Sequence, residues 1–214
     1  MLRHLFFVFA VSVIAGCSQF SSLSDRQETQ ALWTSQQQAL ASYDSWDMHS
    51  RAVIKLEAAA YNIGIRWQRD AANFEMLLEA PFGQGVFRIE SSVGDVYRLR
   101  LPDGQVFENL TAEALLEDVI GWSLPISGLE YWIRGMPRPG SKYSHRVIAD
   151  GRTRSISQDR WSISFLDYFD QPQYPRLPRK VELVSDTITV RLVVERWQSS
   201  TQQVTPSDLF PDFN

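Results

Sequence analysis

Few side chains in this sequence could form a catalytic or metal-binding site. The single cysteine, Cys17, excludes an intramolecular disulfide. The three histidines, His4, His49 and His145, lie far apart in sequence and form no metal-ligand motif. There is no Gly-x-Ser-x-Gly motif, and the Gly-Gln-Gly run at 83–85 lacks the third glycine of a phosphate-binding loop. The sequence therefore predicts neither an enzyme nor a metal or cofactor site.

The surroundings of Cys17 indicate a different chemistry, the covalent attachment of lipid. A short basic head at residues 3–4 precedes an apolar run, Leu5–Ile14, that is too short to span a bilayer as a helix. Small residues then stand directly before the cysteine, in Ile14-Ala15-Gly16-Cys17. This arrangement resembles the lipobox of bacterial lipoprotein signal peptides, which implies that residues 1–16 are removed and that Cys17 is acylated. The alternative is an ordinary secretory signal with a cysteine at this place by chance.

Acylation of Cys17 would determine where the protein resides. A single acyl chain binds membranes only marginally, at about 0.8 kcal/mol per buried methylene, whereas two or three chains make attachment effectively permanent. In bacterial lipoproteins an aspartate after the cysteine favours retention in the inner membrane, and here the residue is Ser18. The resemblance therefore implies an outer-membrane protein whose domain faces the periplasm.

Composition predicts one globular domain behind a tether. Residues 17–24 are Ser-rich, which favours a lipidated flexible tether, and residues 25–214 are long enough for a single domain with a sizeable core. Hydrophobic residues make up 44% of the chain and aromatic residues 12%, which is typical of a packed protein. The formal net charge of −4 offers no basic surface to nucleic acid.

Alternation of apolar and polar residues predicts about eleven short strands. Six alternating segments lie between Ala52 and Glu108, and five lie between Tyr143 and Trp197. Pro102-Asp103-Gly104 is a strong hairpin turn signal. Many short antiparallel strands with one apolar face curl into a barrel or half-barrel. We therefore expect a mainly β (α+β) fold, with an irregular tail at 198–214.

Helical periodicity predicts a first helix from Asp25 to about Tyr43. Its N-terminus lies at Ser24 or Asp25, residues of a type that accepts hydrogen bonds from free backbone N–H groups. The glutamines at 36–38 are expected in solvent. The packed side is expected to consist of Leu32, Ala39, Leu40 and Tyr43.

Two further helices are predicted in the middle of the chain. Thr111 can cap a helix over 112–120, and Gly121 can end it. In the stretch 121–137, Ser127 can cap a short helix that ends at Gly135. Its residues Leu129, Trp132 and Ile133 fall on one face. Such a helix is either a crossover packed on the sheet or a lid over a cavity that is open to an apolar ligand.

The mature chain resembles the LolB family of outer-membrane lipoprotein receptors. No single motif carries this resemblance, but their order and spacing do. Besides the cysteine motif, the landmarks are Leu78-Glu79-Ala80-Pro81-Phe82-Gly83, Leu124-Pro125-Ile126, Leu129-Glu130-Tyr131-Trp132-Ile133-Arg134-Gly135-Met136-Pro137, and the closing segment from Val181-Glu182-Leu183 to Trp197.

The resemblance implies a fold and a function. The fold is an incomplete antiparallel β-barrel with helices over the opening and an acyl-binding cavity. The function is to accept acylated lipoproteins from the periplasmic carrier LolA and to incorporate them into the outer membrane, as a monomer without cofactors other than the acyl chains on Cys17. Two alternatives remain open: a lipidated barrel that binds another hydrophobic ligand, and a structural outer-membrane lipoprotein with a filled core.

The resemblance and the alternation together predict where acyl chains bind. Apolar side chains on the inward faces of strands and helices can shield the methylene groups of a lipoprotein, each contributing about 0.8 kcal/mol. The predicted cavity residues are drawn from Ile63, Ile65, Trp67, Met76, Leu78, Trp122, Trp132 and Ile133.

A second predicted site is a projecting loop that enters the membrane. The family has such a loop between two strands with an exposed apolar residue at its tip, and that position matches Phe82. A leucine is familiar there, so Phe82 departs in type but not in character. Pro81 and Gly83 favour a sharp, projecting turn. The alternative is that Phe82 is a turn residue packed into the core.

The anchoring hypothesis yields a direct test at Cys17. We expect Cys17→Ala to abolish membrane attachment and to leave a folded, soluble domain, because the cysteine lies outside every strand-like segment. Cell fractionation and circular dichroism of the purified variant measure the two effects. Unchanged membrane attachment, or loss of the folded spectrum, would contradict the hypothesis.

Overall fold

The computed structural model describes residues 17–70, 73–79, 85–92, 96–121, 123–170 and 176–199. The signal segment 1–16, the loop residues Pro81, Phe82 and Gly83, the cavity candidate Trp122 and the tail 200–214 lie outside the described residues. The described residues form three helices and eleven strands: α1 Cys17–Ala41, β1 Trp46–Lys55, β2 Ala60–Arg69, β3 Asn73–Glu79, β4 Val86–Ser92, β5 Tyr97–Arg100, β6 Val106–Asn109, α2 Ala112–Ile120, α3 Ile126–Trp132, β7 Tyr143–Val147, β8 Thr153–Gln158, β9 Trp161–Tyr168, β10 Pro178–Val184 and β11 Thr189–Ser199.

All eleven strands form one antiparallel sheet in the order β6-β5-β4-β3-β2-β1-β11-β10-β9-β8-β7. Every neighbouring pair but one is joined by a local connection. The exception is β1 with β11, which unites the two halves of the chain and pairs Ala52 with Leu192. Among the described residues β6 and β7 each pair on one side only. The prediction of an incomplete antiparallel barrel of about eleven strands is confirmed.

Strand alternation gives the sheet one apolar and one charged face. Because directly paired residues point to the same face, one row of inward side chains crosses six strands, and each member is at most 3% exposed: Trp197, Met48, Trp67, Met76, Ile89 and Leu99. The outward face carries ion pairs such as Arg98–Glu108 at 2.8 Å and Arg66–Glu79 at 3.4 Å. Exposed pairs of this kind contribute about 0–1 kcal/mol each, so the inward apolar face supplies most of the stability of the sheet.

Helix α1 starts earlier than the sequence suggested. It begins at Cys17, so the segment 18–24, predicted as a flexible tether, is helical and the prediction is wrong for its backbone. The physical reason is that neither proline nor glycine occurs between Ser18 and Ala41 to stop the helix.

The packed face of α1 also differs from the prediction. Leu32 and Ala39 are exposed, whereas Trp33 and Leu40 are buried. The glutamine predicted in solvent at position 37 lies between these two on the packed face and donates from Nε2 to the Gly135 carbonyl at 3.3 Å. Residues 33, 37 and 40 are separated by four and three positions, so they share one face of a helix. The prediction followed Leu and Ala and overlooked the tryptophan.

The ends of α2 follow the predicted chemistry. The Thr111 hydroxyl accepts a hydrogen bond from the Ala114 backbone N–H at 3.2 Å. Gly121 ends the helix with φ of 80°, a left-handed conformation that glycine adopts without a Cβ penalty. Both predictions are confirmed.

The start of α3 corrects the prediction for Ser127. Pro125 holds the cap position and makes no side-chain cap bond, so the helix starts at Ile126 and Ser127 lies inside its first turn. The free backbone N–H of Ser127 is instead accepted by Glu113 Oε1 of α2 at 2.7 Å. A carboxylate at a helix N-terminus is favourable, and this contact fixes α3 against α2.

Gly128 leaves space for the ring of Trp132, which belongs to the same helix. A Cβ at Gly128 would come within 2.7 Å of Trp132 Cη2. Trp132 cannot move away easily, because it is fully buried and its indole N–H donates to Gln158 Oε1 at 2.8 Å.

We expect Gly128→Ala to lower the free energy of unfolding by about 1–3 kcal/mol, the usual cost of overpacking. The clash outweighs the helix propensity gained by alanine, about 1 kcal/mol. Urea denaturation measures the change. The matched control is Ser127→Ala at the neighbouring exposed position, expected within about 0.5 kcal/mol of the parent. A Gly128→Ala variant as stable as the parent would show that the contact with Trp132 is not restrictive.

Candidate functional site

An apolar cavity lies between the concave face of the sheet and the helices α2 and α3. Sixteen side chains line it, and every one is apolar. Eleven belong to the sheet: Met48, Ala52, Ile54, Ile63, Ile65, Trp67, Met76, Leu78, Leu183, Val190 and Leu192. Five belong to the helices and the segments beside them: Leu116, Leu124, Ile126, Leu129 and Ile133.

The cavity is narrow. It holds about 590 Å³ of space between atoms, its opening included, but only about 50 Å³ of that space admits the centre of a water-sized sphere. One water needs roughly 10–15 Å³ by this measure, so the cavity as it stands is a slot between side chains. In this form it is too narrow for several acyl chains side by side.

Six of the eight predicted cavity residues lie on this wall: Ile63, Ile65, Trp67, Met76, Leu78 and Ile133. Trp132 does not. Residues 126, 129 and 133 fall at i, i+3 and i+7 and face the cavity, whereas Trp132 turns towards Gln158 of β8 and lies 6.3 Å from the Trp161 ring. That these six residues contact acyl chains stays a prediction.

Sequence reasoning missed the wall formed by β1, β10 and β11. Ala52 and Ile54 were recognisable as sharing one face of a strand. Nothing local indicated that β1 would pair with β11, about 140 residues later in the chain, and so bring Val190 and Leu192 beside them. The alternation in β11 predicted which of its side chains share a face, but it did not predict which strand pairs with β11.

Polar contacts hold α3 over the cavity. The Arg69 guanidinium at the end of β2 pairs with Glu130 at 2.9 Å. Arg134, 5% exposed, donates to the carbonyl oxygens of Tyr43 at 2.8 Å and Glu130 at 3.0 Å. Burial lowers the pKa of Arg134, and the nearby Glu130 carboxylate opposes that shift. The guanidinium also lies 5.8 Å from the centre of the Trp46 ring. The C-terminal end of α3 is thereby fastened to the segment between α1 and β1.

The cavity lining is only partly buried near one end of the sheet. The pairings of Lys55 with Ala60, Glu79 with Val86 and Val184 with Thr189 all lie at the same end of the sheet. The lining residues nearest this end, Ile63 and Leu78, are only partly buried. Large apolar side chains that are exposed near this end are Tyr61, Val86, Val106, Tyr143 and Val184.

Within the described ranges, no three His, Cys, Asp or Glu side chains cluster closely enough to hold a metal ion. In the same part of the chain, no helix has both the length and the hydropathy needed to cross a bilayer.

Comparison with known proteins agrees with the fold. A crystal structure of a Vibrio parahaemolyticus protein domain, named for outer membrane lipoprotein sorting, superposes with a TM-score of 0.51 at 12% identity and covers 86% of this chain and 94% of that domain. A DUF1329 family protein from Desulfovibrio piger gives the same TM-score at 7% identity, over 85% of this chain and 95% of its own. At such low identities the likeness shows the fold alone.

Sequence relatives and a family model are more specific. The outer-membrane lipoprotein LolB of Pseudomonas savastanoi pv. phaseolicola is 32% identical over 202 residues, which cover 92% of this chain and 96% of that protein. The outer-membrane lipoprotein LolB of Pseudomonas putida strain GB-1 is 32% identical over 200 residues, with the same coverage. The model of the family described as outer membrane lipoprotein LolB matches residues 44–197, which contain the whole sheet except the last two residues of β11. On the strength of this match and of the relatives that share nearly its full length, the chain belongs to the LolB family of outer-membrane lipoproteins.

Proposed function

We propose that this protein accepts acylated lipoproteins from the periplasmic carrier LolA and incorporates them into the outer membrane. It acts as a monomer, anchored by acyl chains on Cys17 with its domain on the periplasmic face, and it carries out no catalysis. The observation that carries the proposal is the cavity: sixteen apolar side chains, and no polar one, line a slot beneath the helices α2 and α3 in a chain of the LolB family.

The lining suits the energetics of transfer. A lipoprotein with three acyl chains has tens of methylenes to shield, each contributing about 0.8 kcal/mol. Without a source of chemical energy the transfer from carrier to receptor must run downhill, so the receptor cavity must bind the chains better than the carrier does. An all-apolar wall, closed on one side by the sheet and on the other by two helices, offers that shielding without the cost of burying polar groups.

A two-step assay tests the proposal. The chain carrying Cys17→Ala is mixed with LolA loaded with a lipoprotein, and acceptance is scored by the appearance of a complex between lipoprotein and receptor. For the second step the lipidated protein is loaded with lipoprotein in the same way. Liposomes are then added, and incorporation of the lipoprotein into them is scored separately. Acyl binding without acceptance from LolA would favour a barrel for another hydrophobic ligand, and no binding at all would favour a structural lipoprotein.

Filling the cavity should block the first step. Ala52 lies on the cavity wall and is 3% exposed. The ring introduced by Ala52→Phe takes the space of two or more ligand methylenes, so at about 0.8 kcal/mol each we expect acceptance to weaken about tenfold or more. Equilibrium titration with loaded LolA measures the effect.

The matched control is Val53→Phe, because residue 53 is the next on β1 and points to the opposite face. It should accept lipoprotein like the parent. Near-ultraviolet circular dichroism verifies that both variants are folded. Normal acceptance by a folded Ala52→Phe variant would argue that the chains bind elsewhere.

The loop at Phe82 should act in the second step. Burying a phenylalanine side chain contributes roughly 1.5–3 kcal/mol, enough to bias a tethered domain towards dipping one loop into the membrane. We expect Phe82→Glu to keep folding, localisation and acceptance nearly normal and to slow incorporation, so that loaded receptor accumulates. Phe82→Leu is the control and should be nearly silent. Incorporation by Phe82→Glu at the parental rate, or its failure at the acceptance step, would remove the role assigned to this loop.

A further inference from the structure

Positive charge is concentrated in one part of the sheet, although the whole chain has a formal net charge of −4. The segment 138–168, which contains β7, β8 and β9, has six arginines and lysines against three aspartates, a net charge of +3. Each aspartate lies in an ion pair: Asp150 with Arg152, Asp159 with Arg138, and Asp167 with Arg179 and Lys180. Four exposed cations of the segment have no ion-pair partner among the described residues, and we call them the basic edge: Lys142, Arg146, Arg154 and Arg160.

The basic edge follows the margin of the sheet. Within the described residues β7 pairs with β8 alone, so its other side is open. Lys142 and Arg160 line one groove at the start of β7. Farther along, Arg146 lies at a bulge in which Arg154 of β8 is the extra residue. The ring of Tyr143, 43% exposed, lies between these two pairs of cations along the strand.

Such an arrangement is electrostatically unfavourable for the isolated domain. Like charges that lie side by side on a sheet repel one another. Two carboxylates share the groove with Lys142 and Arg160, but Asp159 is already paired with Arg138, which leaves Asp186 alone to offset four cations. An anionic partner from outside the chain would supply the missing negative charge.

The path of α1 indicates which anionic partner meets the basic edge. Trp33 of α1 stacks on His145 of β7, with ring centroids 4.1 Å apart. Among residues 24–41 of α1, Trp33 is the first that is buried, so the part of the helix that leads back to Cys17 leaves the protein beside β7. Acylation of Cys17, which belongs to the proposed function, therefore attaches the protein to the bilayer on the side of the basic edge.

We infer that the basic edge binds the anionic headgroups of phospholipids in the bilayer that holds the anchor. This inference rests on the proposed anchoring and specifies how the anchored domain is oriented. Each lysine or arginine near an anionic membrane surface strengthens binding about fivefold, and an exposed tyrosine suits the interface between headgroups and acyl chains.

The anchor and the basic edge restrain the domain in different ways. The anchor holds one point, whereas the basic edge holds a line along β7. An upright α1 keeps the barrel away from the bilayer, and a tilted α1 brings β7 onto it. Binding of headgroups by the basic edge favours the tilted arrangement.

Vesicle binding tests the inference. The full chain carrying Cys17→Ala, which has no anchor, is sedimented with vesicles of phosphatidylcholine alone and with vesicles of phosphatidylcholine and phosphatidylglycerol in equal amounts. We expect stronger binding to the anionic vesicles, and we expect added salt to weaken it because exposed charges are screened. Removing Arg146 and Arg154 together, as Arg146→Gln with Arg154→Gln, should weaken binding to the anionic vesicles about tenfold or more. Lys142→Gln with Arg160→Gln should have a similar effect.

The matched control is Arg51→Gln with Arg191→Gln. It makes the same change in net charge, but it removes exposed arginines that are paired with Glu195 and Glu182 away from the basic edge. It should bind anionic vesicles nearly as the parent does. Near-ultraviolet circular dichroism verifies that the variants are folded, and the salt dependence of the parent tests the inference without any variant.

The possible failures are distinguishable. Equal binding of the two kinds of vesicle by the parent, or equal losses in the control and in both basic-edge variants, would overturn the inference. Normal vesicle binding by the basic-edge variants with loss of acceptance from LolA would show that the surface contacts the carrier, and would also overturn it. Failure of the parent to accept lipoprotein from LolA, with normal preference for anionic vesicles, would overturn the proposed function and leave the inference standing.

Discussion

The pairing of β1 with β11 is the interaction on which the rest of the structure depends. Every other strand pair joins neighbours in the chain, so each half of the sheet can form locally, but only this pair makes them one surface. Its register runs from Trp46–Ser199 to Lys55–Thr189 with one irregularity between His49 and Ser50. A shift of one residue would turn every inward side chain of one strand outward. The cavity floor exists because Ala52 and Leu192 meet in this register.

The helices complete what the sheet leaves open. An open sheet of eleven strands exposes a concave apolar face that must be covered, and α2 and α3 cover it without filling it. Their positions are set by polar contacts at the margins: Glu113 at the start of α3, Arg69 beside Glu130, and Arg134 at its end. The polar contacts at their margins fix the positions of α2 and α3. The apolar contacts beneath them are not directional, so the cavity wall can adjust to a ligand.

Patterns within a few residues predicted the strands and the ends of α2. They did not predict contacts between residues that are distant in sequence. The strands, the Thr111 cap and the left-handed Gly121 follow from side-chain alternation and backbone chemistry within a few residues. The packed face of α1 was mispredicted because its contacts, such as Trp33 with Thr153, depend on residues more than a hundred positions away. Trp132 was assigned to the cavity because all large apolar residues of a short helix look alike in sequence. The hydrogen bond with Gln158 that turns it away could not be read from spacing.

The continuous α1 has a mechanical consequence. Among residues 24–41 of α1, Trp33 is the first that is buried against the body of the protein, and the helix extends back from it to Cys17. At about 1.5 Å per residue this arm is about 24 Å long. A helix of this length resists bending, whereas a flexible Ser-rich segment with the same number of residues has no fixed end-to-end distance. In the proposed function, in which Cys17 carries the acyl chains, the arm separates the barrel from the membrane, and the number of helical turns sets that distance.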